Sequence, residues 1–303
     1  MQLNFLRTFS ILLGLGALIW SHPLIAGTPE AFLIGGGTRT EEIIQAFAKF
    51  AGGNQAKILI FPYATSSPKP AVALLREQFS TFEPAAVMEA PPFPEALMPD
   101  RKRLYACQRL FGSPKPIDFF TTEERVNLLS NLKTADVAYF TGGGQPRILE
   151  MFTQDPEFSH AFRDFLARGG KYAGTSAGTA AAPQWMMNGR LTKMPDGTVV
   201  AEIEPGLGIL RPGIHIDQHF VQRTRYDRLK NLIRQYPEDI AIGISESTAV
   251  QFESDETFRV VGSSFTVVYF KDTPESEVRE IWLRRGERFD LKTRRKITRL
   301  NQS

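Results

Sequence analysis

Short apolar runs alternate with amphipathic stretches along the first half of the chain. The runs 31–34, 56–61 and 137–140 are dense in apolar residues, which is typical of strands buried on both faces of a sheet. The stretches between them space apolar residues three and four positions apart, which predicts helices over 41–50, 71–79, 122–132, 146–152 and 157–168. Strands alternating with helices in this way predict βαβ units and a parallel sheet, and therefore an α/β fold.

The pattern changes in three later segments. Prolines recur through 84–120, which predicts an excursion or lid rather than a linker between domains. Residues 189–205 predict a hairpin around Asp196-Gly197, and 249–270 is rich in strand-forming residues. The basic extension 276–303 is expected to be a solvated, partly disordered tail rather than a site for an anionic partner.

The N-terminus has the pattern of a secretory signal peptide. Arg7 precedes an apolar run over 11–20, and small, turn-prone residues follow up to Gly27. The run is about half as long as a membrane span, so we expect cleavage near Ala26 and no stable membrane insertion, the alternative being an uncleaved anchor. The prediction is a secreted or periplasmic protein, with a signal peptide over 1–26 and one α/β domain over 27–275.

Composition narrows the function classes. The 303 residues are 42% hydrophobic and 23% charged, which is typical of a globular protein with a sizeable core. A net charge of +3 without a concentrated basic stripe does not predict nucleic-acid binding. Cys107 is the single cysteine, so no internal disulfide can form, and its surroundings lack the glycine-rich turn that would expose a nucleophile.

The segment Gly174-Thr-Ser-Ala-Gly178 matches the G-x-S-x-G pattern of a nucleophile elbow. A nucleophile on a sharp strand-to-helix turn needs flanking residues without bulk, and a predicted strand and a helix-prone run flank this one. We therefore predict Ser176 as the nucleophile of a serine hydrolase. The alternative is a tight packing turn with a buried serine.

A serine nucleophile needs a base and an orienting acid. His22 lies in the signal peptide and His160 in the middle of a helix, which leaves His215 and His219 as candidate bases. On a strand these two would share one face with Asp217, so a zinc site is an alternative.

Glu246 ends a predicted strand, at the edge where ligands bind in open α/β sheets, and is the candidate acid. The order Ser, His, Glu disfavours the α/β-hydrolase superfamily, whose order is Ser, acid, His. Backbone N–H groups of Gly143, Gly144 and Ala177 are candidate oxyanion donors. The alternative for 141–144 is a plain strand-terminating turn.

Four segments in order carry a family resemblance: 140–147, 174–178, 217–220 with the arginines that follow it, and 243–246. Together they resemble the cyanophycinases, in the serine peptidase family that also contains aspartyl dipeptidase. The resemblance covers roughly residues 30–270 and is specific because four motifs occur in order. The sequence departs from the family pattern at Thr38-Arg39, where the family often has an acidic residue followed by Lys. It also departs at Ser245, where Asp is common.

The resemblance implies a flavodoxin-like three-layer sandwich with a mostly parallel central sheet, related to class I glutamine amidotransferases. It implies a triad of Ser176, His219 and Glu246, no metal or cofactor, and often a dimer. It implies hydrolysis of cyanophycin, a poly-aspartate with arginine on each β-carboxyl, to β-Asp-Arg dipeptides. The substrate-binding residues that it implies are Gln145, Asp217, Gln218, Arg223, Arg225 and Arg228.

Arginine forks suit carboxylates, and Asp217 would pair the substrate guanidinium. The alternative for the three arginines is a solvated helix face. Two other functions stay open: an exported peptidase for short Asp-containing or isoaspartyl peptides, and a non-catalytic amidotransferase-like binding module.

Overall fold

The computed structural model describes residues 29–92 and 120–297, apart from 196 and 255. The predicted signal peptide with its cleavage site, Cys107, the turn residue Asp196 and most of the Pro-rich excursion lie outside these described residues.

The N-terminal half forms the parallel part of a large sheet. Its strands are β1 (Ala31–Ile34), β2 (Lys57–Phe61), β3 (Ala86–Glu89), β4 (Val137–Phe140) and β5 (Lys171–Thr175). They lie in the order β1-β5-β4-β2-β3, and each pairs with its neighbour in parallel. The predicted α/β class is therefore confirmed.

Helices cover both faces of these strands. They are α1 (Glu41–Ala51), α2 (Pro68–Ser80), α3 (Thr122–Thr134), α4 (Gln145–Gln154) and α5 (Pro156–Ala167). Side chains alternate along each strand, so Phe32 packs with α1 and α2 in one core cluster and Leu33 with α3 to α5 in the other. The result is the three-layer arrangement that the resemblance implied.

The C-terminal half adds antiparallel strands to the large sheet and builds a second one. Among the described residues, β10 (Thr248–Phe252), β11 (Thr257–Gly262), β14 (Arg288–Asp290) and β15 (Arg295–Ile297) extend the large sheet beyond β1. The second sheet has the order β13-β12-β9-β8, from β8 (Ile214–Gln218), β9 (Ile240–Ile244), β12 (Thr266–Phe270) and β13 (Arg279–Leu283).

Three smaller elements complete the region around the site. They are α6 (Ala177–Ala180), the predicted hairpin of β6 (Trp185–Lys193) and β7 (Val199–Pro205), and α7 (Tyr226–Gln235). Met187 and Ala201 of the hairpin pack with Leu229 and Leu232 of α7, so the hairpin lies against the second sheet. No helix in the part of the chain that the structure describes is long and apolar enough to cross a membrane.

The predicted tail is solvated, since most of residues 279–297 are exposed, but the prediction of partial disorder is wrong for them. They include β13, β14 and β15, and five of their cations have an acidic partner: Arg279, Arg285, Arg288, Lys292 and Lys296. Arg288 pairs with Glu253 on the adjoining part of the sheet at 2.5 Å, and Arg279 pairs with Asp272 at 3.0 Å. The charge run therefore includes the edge strands of the two sheets, β15 and β13. The short strand β3 likewise falls inside the segment predicted as an irregular excursion.

Candidate active site

Ser176 lies at the sharp turn between β5 and α6. Its backbone has φ 51° and ψ −106°, a conformation that non-glycine residues rarely adopt. A Cβ on Gly174 would lie 2.5 Å from the carbonyl carbon of Gly178, and one on Gly178 would lie 2.4 Å from the Phe140 carbonyl oxygen. The two glycines therefore let the backbone close up beneath the serine, as the elbow pattern predicts.

Two buried hydroxyls fix this turn from below. Tyr172 donates to the Gly178 carbonyl at 2.5 Å, and Thr179 donates to the carbonyls of Ile34 at 2.6 Å and Gly174 at 2.8 Å. The predicted helix after the elbow is a single turn, so its contribution to the site is the N–H of Ala177 rather than a long helix dipole.

His219 and Glu246 reach Ser176 from the second sheet. Both follow parallel strands at their carboxyl ends, β8 and β9, which brings the two side chains to one edge. The Ser176 hydroxyl lies 2.8 Å from His219 Nε2, and His219 Nδ1 lies 2.5 Å from Glu246 Oε1. This is a continuous hydrogen-bonded series of nucleophile, base and acid, which can move a proton away from the serine.

The electrostatic surroundings keep His219 neutral. Burial lowers the pKa of its imidazole, and the positive charges of Arg223 and Arg225 lower it further. The hydrogen bond and charge of Glu246 oppose these effects, but the net shift is downward. A neutral imidazole near pH 7 is the form that accepts a proton.

The first glycine loop lies against these two side chains. A Cβ on Gly36 would lie 2.3 Å from His219 Cε1, and one on Gly37 would lie 2.7 Å from Glu246 Cβ. The sequence predicted a strand followed by a tight loop here, but not that the loop touches the base and the acid. The run of three glycines was the available signal, because repeated glycines mark close backbone approach.

Of the three expected oxyanion donors, Gly143 and Gly144 lie in the second glycine loop and Ala177 lies at the elbow. The N–H of Gly144 already donates to the Ala64 carbonyl at 2.9 Å, so Gly144 does not serve as a donor to substrate in this geometry. Gly143 has φ 141° and packs on Ala64, where a Cβ would lie 1.9 Å from the carbonyl oxygen. Gly143 and Ala177 remain the candidates, since neither N–H has an acceptor among the described residues.

Ser176 opens into a cleft of about 250 Å³. One wall comes from α4 and the β6–β7 hairpin, and the other from β8 and the turn that follows it. All six residues expected to bind substrate line this cleft: Gln145, Asp217, Gln218, Arg223, Arg225 and Arg228. The structure therefore brings them together around the serine.

Asp217 does not face the substrate in the way we expected. Its side chain is almost fully buried and accepts from Arg225 Nη1 at 2.7 Å and from Arg228 Nε at 2.6 Å. It also accepts from the backbone N–H of Gln218 at 2.8 Å. The expectation that Asp217 pairs with a substrate guanidinium stays a prediction, and in this arrangement the carboxylate holds two arginines.

The arginine group leaves the cleft positively charged. Three guanidinium groups, on Arg223, Arg225 and Arg228, less the one Asp217 carboxylate give two net positive charges. Arg223 is exposed and has no acidic partner among the described residues, whereas the other two are half-buried and paired. The alternative of a plain solvated helix face does not hold, because Arg223 and Arg225 precede α7 and line the cleft.

The two glutamines have different surroundings. Gln145 donates through Nε2 to the Met187 carbonyl at 3.3 Å, which joins the start of α4 to the hairpin. Gln218 is buried, and its Oε1 atom has no donor among the described residues. Gln218 Oε1 is thus a buried acceptor in the wall of the cleft, next to the arginine donors.

The alternative zinc site does not assemble. His215 is buried, with Nε2 2.8 Å from Asp239 Oδ2 and Nδ1 3.3 Å from the Trp185 carbonyl. The strand ends before His219, whose φ of 50° breaks the alternation that would have placed it beside His215. Within the described ranges, no group of three His, Cys, Asp or Glu side chains could hold a metal ion. His160 lies exposed on α5 next to Asp164.

Fold and side-chain geometry together define an α/β protein with the constellation of a serine hydrolase. The chain belongs to peptidase family S51, whose family model matches residues 80–260. The matched segment includes the elbow serine, the histidine and the glutamate described above. Membership of a peptidase family confirms the predicted family and agrees with a serine-type hydrolase.

Named relatives point the same way. A cyanophycinase of Synechococcus elongatus is 29% identical over 236 residues, which cover 77% of this chain and 65% of the relative. A cyanophycinase of Geminocystis herdmanii is 27% identical over 228 residues, covering 75% and 74%. The chain thus spans just under two thirds of the first relative's length.

The fold is shared with the crystal structure of a peptidase from an acI-B1 actinobacterium. The TM-score is 0.58 at 19% identity, over 88% of this chain and 98% of that one. At this level of identity the likeness concerns the fold alone.

Proposed function

We propose that the protein is an exported serine-type peptidase that hydrolyses cyanophycin to β-Asp-Arg dipeptides. The observation that carries the proposal is the hydrogen-bonded series from Ser176 through His219 to Glu246, at the floor of a positively charged cleft. The proposed substrate, cyanophycin, is inferred from the names of the relatives. The proposed reaction is inferred from the arrangement of Ser176, His219 and Glu246.

In the proposed mechanism, the Ser176 oxygen attacks an aspartyl carbonyl carbon while His219 takes the proton from the Ser176 hydroxyl. Glu246 accepts from Nδ1 and stabilises the imidazolium that forms. The N–H groups of Gly143 and Ala177 donate to the oxyanion. The imidazolium then protonates the leaving amine, and water, activated by the same base, hydrolyses the acyl-enzyme.

The charge of the cleft supports an anionic substrate unit. Each unit of cyanophycin presents the free α-carboxylate of its arginine close to the aspartate backbone. Arg225 and Arg228 are oriented by Asp217, and exposed Arg223 adds a guanidinium that has no acidic partner in the part of the chain that the structure describes. We therefore assign carboxylate recognition to this group. The substrate guanidinium must then extend past Asp217 rather than bind to it.

Export is proposed from the sequence of residues 1–26, with cleavage near Ala26. A storage polymer cannot cross a membrane, so an organism that scavenges it has to place the enzyme outside. A dimer, which the resemblance implied, stays a prediction.

The test uses purified residues 27–303 with insoluble cyanophycin, and soluble products are read by mass. Release of β-Asp-Arg supports reaction and substrate together. Ser176→Ala should lower turnover by about 10⁴-fold or more while the folded protein keeps its circular dichroism spectrum. Retained turnover in this variant would exclude the elbow serine as nucleophile.

Two further arms separate the alternatives. Hydrolysis of short aspartyl or isoaspartyl peptides, but not of polymer, would move the substrate to the second candidate. A fluorophosphonate probe that fails to label folded protein, together with no hydrolysis, would favour a non-catalytic binding module. Activity lost on exhaustive chelation would revive the zinc interpretation.

A further inference from the structure

Glu246 is not buried deeply enough for packing alone to hold its carboxylate in place beside His219. Its side chain is about one third exposed, at the start of the loop that follows β9. A carboxylate at such a position can lose its contact with the base by small movements of the loop. What holds this loop therefore decides how well the acid orients His219.

A side chain from a neighbouring turn contacts this loop. The backbone N–H of Glu246 donates to Gln222 Oε1 at 2.9 Å. On the other side, the N–H of Ser247 donates to the Gly36 carbonyl at 2.9 Å. The acid is thus held between a backbone contact to the first glycine loop and a side-chain contact to Gln222.

Gln222 belongs to the turn that links the base to the arginine group. Within this turn, the N–H of Arg223 donates to the His219 carbonyl at 3.0 Å, and the N–H of Arg225 donates to the Phe220 carbonyl at 3.1 Å. These two backbone hydrogen bonds connect His219, Gln222 and Arg223 within one turn. Arg223 follows Gln222 directly and lines the cleft.

We propose that Gln222 is a positioning residue, which holds Glu246 against His219 and couples the acid to the turn that carries Arg223. The proposal rests on the proposed function, because it needs Ser176 to act as a nucleophile. A neutral amide suits this place, since its oxygen accepts the N–H without adding a charge beside the Glu246 carboxylate.

The test compares Gln222→Ala and Gln222→Glu with a matched control, Gln45→Ala. Gln45 is also exposed and makes one side-chain hydrogen bond, to Glu41 at 2.9 Å, on α1. The first readout is the second-order rate of fluorophosphonate labelling of Ser176, which needs no peptide substrate. Values of kcat and KM on cyanophycin, or on the aspartyl peptide that the wild type cleaves, form the second.

Gln222→Ala should lower the labelling rate and kcat by about tenfold, with KM within about twofold, because orientation of the base is lost and the cleft is kept. Gln222→Glu keeps the acceptor and should label within about threefold of wild type at alkaline pH. In a plot of the labelling rate of Gln222→Glu against pH, the acid limb should lie at higher pH than in the wild type. The reason is that an added negative charge raises the pKa of His219, which the charges of Glu246, Arg223 and Arg225 already influence.

Labelling of Gln222→Ala at the wild-type rate would overturn the proposal. Failure of the proposed function looks different, since the wild type itself would then show neither labelling nor hydrolysis.

Discussion

The turn that carries the proposed nucleophile and the arginine group proposed to bind substrate differ in what holds each of them in place. Around Ser176, backbones approach so closely that glycine is the only residue that fits, as at Gly174 and Gly178. Around Asp217, shape matters less and charge matters more, because one buried carboxylate holds two arginines. The first region depends on steric fit and the second on electrostatic balance.

This contrast teaches which substitutions each region can bear. A single added methyl group should damage the first region, although the charge is unchanged. A neutral isostere should damage the second region, although the shape is unchanged. Four substitutions test the contrast, and two of them have a matched control substitution.

The largest effect is expected from Gly36→Ala. The new Cβ would lie 2.3 Å from His219 Cε1 and 2.6 Å from Nε2, and the residue would keep a φ of 103° that disfavours alanine. Because the imidazole has to move away from Ser176, we expect kcat/KM to fall by about 100-fold or more. The measurement is steady-state hydrolysis alongside fluorophosphonate labelling.

Gly52→Ala is the matched control for this change. Gly52 has a φ of 113°, but a Cβ there would meet nothing within 4 Å. It should cost about 1 kcal/mol of unfolding free energy from backbone strain and leave kcat/KM unchanged. Equal activity in both variants would show that steric fit at the base is unimportant.

Asp217→Asn keeps the shape and removes the charge. Breaking a buried ion pair on one side typically costs about 3–5 kcal/mol of unfolding free energy, since Arg225 and Arg228 are then left without a counter-charge. KM should also rise, as both guanidinium groups lose their orientation. Urea unfolding and steady-state kinetics measure the two effects.

Asp272→Asn is the counterpart at the surface. Its partner Arg279 is at 3.0 Å, but both side chains are about half exposed. Such a pair is worth about 0–1 kcal/mol, so this variant should unfold nearly as the wild type does. A loss as large as that of Asp217→Asn would contradict the electrostatic account of the cleft.

Arg223→Gln should weaken substrate binding and raise the pKa of His219. Loss of the exposed guanidinium should raise KM by about tenfold, a loss typical of one charge-assisted hydrogen bond. The positive charge of Arg223 lowers the pKa of His219, so its removal raises that pKa. Since the base must be deprotonated, the acid limb of kcat/KM should move to higher pH, and an unmoved limb would refute the link.

The smallest effect is expected from Arg285→Gln, at the basic C-terminal segment. Arg285 pairs with Glu42 at 2.7 Å, but its side chain is 71% exposed. We expect a change in unfolding free energy of less than about 1 kcal/mol and no change in kcat/KM. A large loss would mean that this segment supports the site directly.

Local patterns predicted much of this fold. Apolar spacing placed β1, β2, β4 and the helices around them to within a few residues, because these elements bury a regular face, but it missed β3. The elbow was also predictable, since its glycines are adjacent to Ser176 in sequence. The prediction of His219 and Glu246 rested on the family resemblance and, for Glu246, on its position at the end of a strand.

What failed depends on contacts between distant segments. Ion pairs such as Arg288 with Glu253 stabilise strands in a stretch whose composition indicated a solvated tail. The role of Asp217 depends on Arg228, which α7 brings back to the end of β8. Nor could the sequence show that the Gly144 amide is occupied by Ala64.

The order of strands in the large sheet has a consequence for the time course of folding. β1, near the beginning of the described chain, pairs on one side with β10, where Ala31 lies opposite Phe252. Contacts so distant in sequence form slowly, because a long loop has to close first. During synthesis, β1 therefore cannot pair with β10 until most of the polypeptide has been made. Such a delay would suit a chain that crosses a membrane unfolded, as the proposed export requires.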